Sequence, residues 1–206
     1  MDKEEAKKNS VRNLQNLYSI VVGLGLSLAI YNLLDFSRVG WPFRFELAPF
    51  FVSFLVTLIP FYHGALRHLD AAYTEQDSGQ VRGGALLADF WLLFIESCIL
   101  LGLAVLLPTP QFFAWGLVLL LAIDTIWGFL AYLVFSKKVE SKSELHWALI
   151  NLITVVILSV CFVIIGIFPP VAGVVVPSLW IIILSVCFIR TIVDYVVCWT
   201  FYFPKS

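Results

Sequence analysis

Six runs of predominantly apolar residues, each about as long as a bilayer is thick, punctuate the chain at roughly 17–34, 47–67, 86–107, 111–135, 145–168 and 178–203. A helix needs roughly 20 such residues to cross about 30 Å of hydrocarbon. Lipid also obliges each spanning segment to satisfy its own backbone N–H and C=O groups. The breaks between the runs carry turn chemistry: "DFSRVGWPFRFE" with Gly and Pro, the polar "HLDAAYTEQDSGQVRGG", the tripeptide "PTP", the charged "SKKVESKSE", and a segment holding Pro169, Pro170 and Pro177. The expected fold is all-α, a polytopic membrane protein with six transmembrane helices in one bundle (17–203), preceded by a hydrophilic tail over 1–16. The tail is longer and more acidic than the basic start of a secretory leader, so no cleavage is expected.

Composition agrees. Hydrophobic residues make up 61% of the 206, above the 45–50% or so of soluble domains, and mean hydropathy is +0.95. The spans leave no length for a separate soluble domain. A net charge of −1 gives no electrostatic footprint for nucleic acid. Cys98, Cys161, Cys187 and Cys198 all lie in apolar stretches without a CxxC pair, and read as small packing residues.

Lys and Arg set the orientation. With six crossings, ten flank one side and only Arg38 and Arg44 the other, with Arg190 inside a span. Both termini are therefore expected in the cytoplasm, with the chain in the cell (inner) membrane. Trp41, Trp115 and Trp180 fall near the outer boundary, and Trp91, Trp147 and Trp199 near the inner one. Little protein remains outside, which argues against a receptor for a large extracellular ligand.

The spans are not purely apolar. The third carries Asp89 and Glu96, seven apart and so on one face. The fourth carries Asp124, on the same side as Gly128 and Ala131, small residues that let a neighbouring helix come close. The sixth carries Arg190 and Asp194, an i,i+4 pair. The second adds His63 and Arg67 at the same spacing, and the fifth Asn151. Arg190 has two placements. A helix starting near Pro177 puts it roughly 18–20 Å from the outer end, just inside the midplane; a span over 171–189 makes it interfacial, with 191–203 lying along the membrane. Pro177 suits a first turn, which favours the first placement. Glu96 and Asp124 then fall near the midplane, and Asp89, Asp194, Arg190 and His63 in the inner half.

A charge at the bilayer centre costs about 2.5–3.5 kcal/mol on the insertion scale and usually faces the bundle interior. Simple pairing would account for any one of these residues. As a set, four acids share the spans with one clearly buried base, Arg67 lying at the inner edge, so about two acids are left to be protonated, wetted or bound to a cation. His63 has an ordinary pKa near neutrality, but a packed histidine bonded to a carbonyl beside Pro60 is an equally simple reading. His68 and His146 read as plain interfacial residues. Gly25, Ala29 and Asn32 share a side of the first span, and Gly23 and Ser27 form a second small-residue pair; both are helix-packing signals. Pro49 and Pro60 can kink the second span and free carbonyls. The hexapeptide "ILSVCF" occurs at 157–162 and 183–188, and two β-branched-rich spans share six letters without implying duplication.

Enzyme signatures are missing from the sequence: no H-E-x-x-H, no P-loop, no Gly-x-Ser in the fourth span with a histidine in the sixth, and too few histidines for a haem or di-metal bundle. His63 and His68, five apart, diverge on a helix and are not a metal pair. Neither a metal site nor a cofactor is expected, nor an enzyme, although acid–base chemistry by Asp and Glu needs no motif. The sequence favours a small channel or transporter subunit for protons or a cation, with Glu96 and Asp124 at the midplane, Arg190 and Asp194 as an orienting pair, and homo-oligomers in the lipid bilayer building a pore. The alternative is a non-transporting scaffold or effector subunit, for example in envelope stress or antiviral defence, whose buried charges and loops 68–84 and 136–144 bind a membrane or cytoplasmic partner protein.

Overall fold

The computed structural model describes residues 3–34, 42–74, 84–135, 142–167 and 175–204. Arg38, Trp41, Pro169, Pro170 and residues 75–83 and 136–141 of the two polar loops lie outside the described residues. The described chain is helical: α1 (Lys3–Leu33), α2 (Ala48–Leu69, entered by a 3₁₀ turn at Phe45–Leu47 and leaving through a π turn at Asp70–Thr74), α3 (Ala85–Leu106), α4 (Pro110–Phe135), α5 (Lys142–Ile167), α6 (Val175–Val197) and a last turn, α7 (Trp199–Tyr202). The first six are long and apolar enough to cross a membrane.

Local chemistry explains the boundaries. Between α3 and α4 the "PTP" break works as a stop and a start. Pro108 has no N–H to return to the Ala104 carbonyl, and Asn32 Nδ2 from α1 donates to that oxygen instead, at 2.8 Å. Pro110 then occupies the first position of α4, where a missing N–H costs nothing. Pro177 falls in the first turn of α6, and that helix continues unbroken through Arg190. Arg190 therefore belongs to a spanning helix, and the surface-lying segment over 191–203 does not form. The helix instead ends at Val197, before the short turn α7.

The helices close into a ring in the order α1, α3, α4, α5, α6, α2 and back to α1. Each presents one narrow stripe inward at 3.6-residue spacing: Val11, Leu14, Tyr18, Val22, Ala29 and Leu33 on α1, for example, and Ile183, Cys187, Arg190 and Asp194 on α6. Outward faces carry exposed Ile, Leu, Val, Phe and Trp, such as Ile126, Leu130 and Leu133 on α4. In water such a surface would aggregate; in lipid it is the solvated side. The hydrophilic segment before residue 17 is helical from Lys3, its inward stripe begins at Val11, and Gln15 Nε2 donates to Asp70 at 2.9 Å.

Small residues sit where helices approach. A Cβ at Gly25 would lie 3.6 Å from the Leu101 backbone of α3, and Ala29 is fully buried on the same stripe. A Cβ at Gly128 would lie 2.9 Å from Ala148 Cβ and 3.2 Å from the Glu144 carbonyl of α5, with Ala131 buried one turn on. Gly23 and Ser27, by contrast, face outward, and a Cβ at Gly23 meets nothing within 4 Å. The two ILSVCF copies turn different letters inward, Leu158 in one and Ile183 with Cys187 in the other. The four cysteines are free thiols. Trp91, Trp115 and Trp199 are exposed, whereas Trp147 is turned inward, edge-on to Phe61 and against Gly64.

Candidate functional site

The polar side chains of the spans converge inside the ring. Glu96 of α3 and Asp124 of α4, 2% and 1% exposed, lie close together with their carboxyls within interaction reach. Among the described residues neither Glu96 Oε1 nor Asp124 Oδ1 has an N–H or O–H donor. Two enclosed carboxyls bond to each other only through a proton on one of them. Asp124 Oδ2 accepts from Asn151 Nδ2 of α5. Asn151 Oδ1 in turn accepts from Arg190 Nε at 3.0 Å and Nη2 at 2.8 Å. The asparagine amide thus places its donor on the acid and its acceptor on the base, and so couples Arg190 to Asp124 through one residue.

Arg190 also faces Asp194, one helical turn along, with Nη2 3.7 Å from Oδ2, and its guanidinium lies 5.0 Å from the centre of the Phe61 ring. Asp194 Oδ2 accepts from Tyr202 Oη at 2.9 Å. Tyr18 of α1 closes the other side of the carboxyl pair. It is buried within electrostatic reach of Glu96 and Asp124, and its ring stacks on Tyr62 with centroids 6.0 Å apart.

A second cluster occupies the end of the ring where α2 ends and α3 and α5 begin. Asp89 Oδ2 accepts from Tyr73 Oη and lies 3.3 Å from His68 Nε2, while His68 Nδ1 lies 3.7 Å from Glu144 Oε1. His68 is buried, with Trp127 edge-on to its ring. The expectation that His68 is interfacial is corrected here. It lies on the same inward stripe of α2 as Phe61 and Ala65 and supplies a second base to the interior. His63 sits apart, half-buried among Tyr195, Tyr202 and Phe203, its Nδ1 3.3 Å from Tyr195 Oη. Its partner is that hydroxyl and not a carbonyl beside Pro60.

The ring therefore gathers Glu96, Asp124, Arg190 and Asp194 inside it, with Asp89 beside His68 and His63 beside Tyr202 at the end where α2 and α6 finish and α5 begins. Asn151, His68, Tyr73, Tyr18 and Tyr202 complete it, and of these only Asn151 stood out in the sequence as a polar residue inside a span. Pro60 contributes elsewhere. Lacking an N–H, it leaves the Val56 carbonyl without its intrahelical donor, and Thr191 Oγ1 of α6 fills that position at 2.6 Å.

Fold and site together define an all-helical, multi-pass membrane architecture whose interior is more polar than its surface. Comparisons with protein-family models, with curated proteins and with solved structures find no match.

Proposed function

We propose that this protein is a small multi-pass membrane channel or transporter subunit that moves protons, with the Glu96–Asp124 pair as the site that holds the proton in transit. The carrying observation is that two fully enclosed acids, Glu96 and Asp124, lie against each other inside the ring. Of four interior acids, Asp89 is matched by His68 and Asp194 by Arg190; the pair is what remains, and a proton is the smallest charge that balances it. Arg190, acting through Asn151, steadies Asp124 as the anion and so sets how readily the pair gives that proton up.

The proposed path lies inside one ring, so self-association sets how many paths an assembly carries and is not needed to build one. The proposed setting is a cell membrane with both termini cytoplasmic, where the Lys and Arg bias places them. The scaffold alternative draws less support. Of the described residues of its docking loops, His68, Leu69, Ala72 and Tyr73 are buried in the ring, while Thr74 and Gly84 are exposed.

Reconstitution into liposomes tests the proposal. A pH gradient should collapse faster with the protein than without it, and Glu96→Gln or Asp124→Asn should abolish that increment while the helical circular dichroism persists. Wild-type protein giving no proton flux at any pH or voltage, or Glu96→Gln conducting like wild type, refutes it.

A further inference from the structure

We infer that the Glu144–His68–Asp89 cluster is the relay that loads and unloads the carboxyl pair at one end of the ring; this rests on the proton reading of Glu96 and Asp124. His68 presents one ring nitrogen to each of two acids, Nε2 to Asp89 at 3.3 Å and Nδ1 to Glu144 at 3.7 Å. The acids differ in what they face. Asp89 is 1% exposed, and its Oδ1 has no donor among the described residues. The Glu144 side chain keeps 13% of its surface accessible, at the first turn of α5. One neighbour is inward and the other reaches the boundary, with an imidazole between them.

A histidine so placed passes protons without net change. The imidazolium gives its Nε2 proton to Asp89 Oδ2, turns its bare nitrogen to the Glu144 carboxyl, takes a proton there and turns back, so the ring starts and ends protonated. Only N–H and O–H bonds are made and broken. Tyr73 Oη, on the same Asp89 oxygen, holds that carboxyl facing the ring. Among the described residues His68 faces Asp89 from α3, Glu144 from α5 and Trp127 from α4, and Tyr73 from the turn after α2 bonds the same Asp89 oxygen. Asp124 lies within electrostatic reach. Asp89 and Glu96 share a face of α3, about 10 Å apart along the axis, and the proposed path crosses that gap only by way of water entering it. Lys7, 5.5 Å from the centre of the Tyr73 ring, and Glu144 mark the mouth, on the side where Lys and Arg collect.

The test is infrared spectroscopy of the full chain in phosphatidylcholine–phosphatidylglycerol vesicles, reading the protonated-carboxyl band that Glu96→Gln removes. Transfer to D₂O should shift that band quickly in wild type. His68→Gln and Asp89→Asn should slow the shift roughly tenfold or more, in the range general acid–base groups contribute. Tyr73→Phe, which deletes a single oxygen, should slow it less. Unchanged exchange in both His68→Gln and Asp89→Asn overturns the relay, and so does the lack of any carboxyl band sensitive to Glu96→Gln. Should either variant misfold, Glu144→Gln, at the first turn of α5, gives the same reading. Flux separates the two proposals: normal exchange slowing with no wild-type flux sinks transport alone, and flux lost in Glu96→Gln but unchanged exchange in His68→Gln sinks the relay alone.

Discussion

Thr191→Val should destabilise the ring by about 1–2 kcal/mol, and Pro60→Ala should cancel most of that loss. The reasoning begins at Pro60, which sits inside α2 and has no N–H for the Val56 carbonyl. Thr191 Oγ1 supplies the donor from α6 at 2.6 Å. Valine keeps threonine's shape and removes only the hydroxyl, leaving a carbonyl without a donor in an apolar setting. Such a group costs about 1–3 kcal/mol when orphaned, while interhelical hydrogen bonds in membranes average about 0.6 and reach about 1.7 kcal/mol. With alanine at position 60 the backbone N–H returns to Val56 O and the hydroxyl becomes dispensable. The cost of Thr191→Val should then fall to a few tenths of a kcal/mol. Pro60→Ala has a packing cost of its own, since Pro60 is buried, and the double-mutant cycle removes it, giving a coupling of about 1 kcal/mol. Reversible unfolding in bicelles, followed by steric trapping or detergent titration, measures all four variants. If the Thr191→Val loss is equal in the two backgrounds within about 0.5 kcal/mol, the proline-freed carbonyl is not what Thr191 serves.

The same unfolding assay reads the charges and the close contacts. Arg190→Leu leaves Asp194 and the Asn151 carbonyl oxygen facing apolar atoms, and should cost about 3–5 kcal/mol; adding Asp194→Asn should restore part of it, and a single-variant loss under about 1 kcal/mol contradicts the buried pairing. Gly128→Ala drives a methyl to 2.9 Å from Ala148 Cβ and should cost about 1–3 kcal/mol. Gly23→Ala, which meets nothing within 4 Å, should be neutral or slightly stabilising, since alanine favours helix by up to about 1 kcal/mol; equal effects at the two glycines would contradict the close approach of α4 and α5.

The architecture was legible because lipid admits so few solutions: an apolar run of span length is a helix, and its inward stripe follows from 3.6-residue spacing. Arg190 shows this best. It is three and seven residues on from Cys187 and Ile183, all on one stripe, and Pro177 falls where a helix begins. The N-terminal boundary was less legible, because hydropathy marks where lipid starts and not where a helix does. Helix α1 continues toward Lys3, packing Val11 and Leu14 on the ring while its other faces stay polar. The site was legible as a list of charges and not as a set of partners. Nothing in "PFYHGALRHLD" distinguishes an inward His68 from a boundary one, since the run is turning polar there. Only the α2–α3–α5 junction, joining His68 to residues 21 and 76 positions further along the chain, decides it.

His68 also changes what the surplus acids mean. With Arg190 as the lone interior base, three acids competed for it and the leftover pair had no unique membership. Asp89 now has its own base at 3.3 Å, and Asp194 is held by Arg190 and Tyr202. The remaining two are the ones in contact, and contact is what makes them informative. Separated acids in lipid would each take a proton and fall silent as hydrogen-bond donors. Facing acids share one, because the first proton removes most of the repulsion that would draw in a second. Asn151 sharpens the difference between them. It gives Asp124 a donor and a route to Arg190, and no such amide bond reaches Glu96 among the described contacts. Asp124 is thus the better-stabilised anion and Glu96 the better place for the shared proton. Glu96→Gln should therefore imitate the loaded state and keep the ring folded, whereas Asp124→Asn should also disturb Asn151 and Arg190 and cost stability as well as flux. Equal stability of the two variants in the unfolding assay would remove this asymmetry.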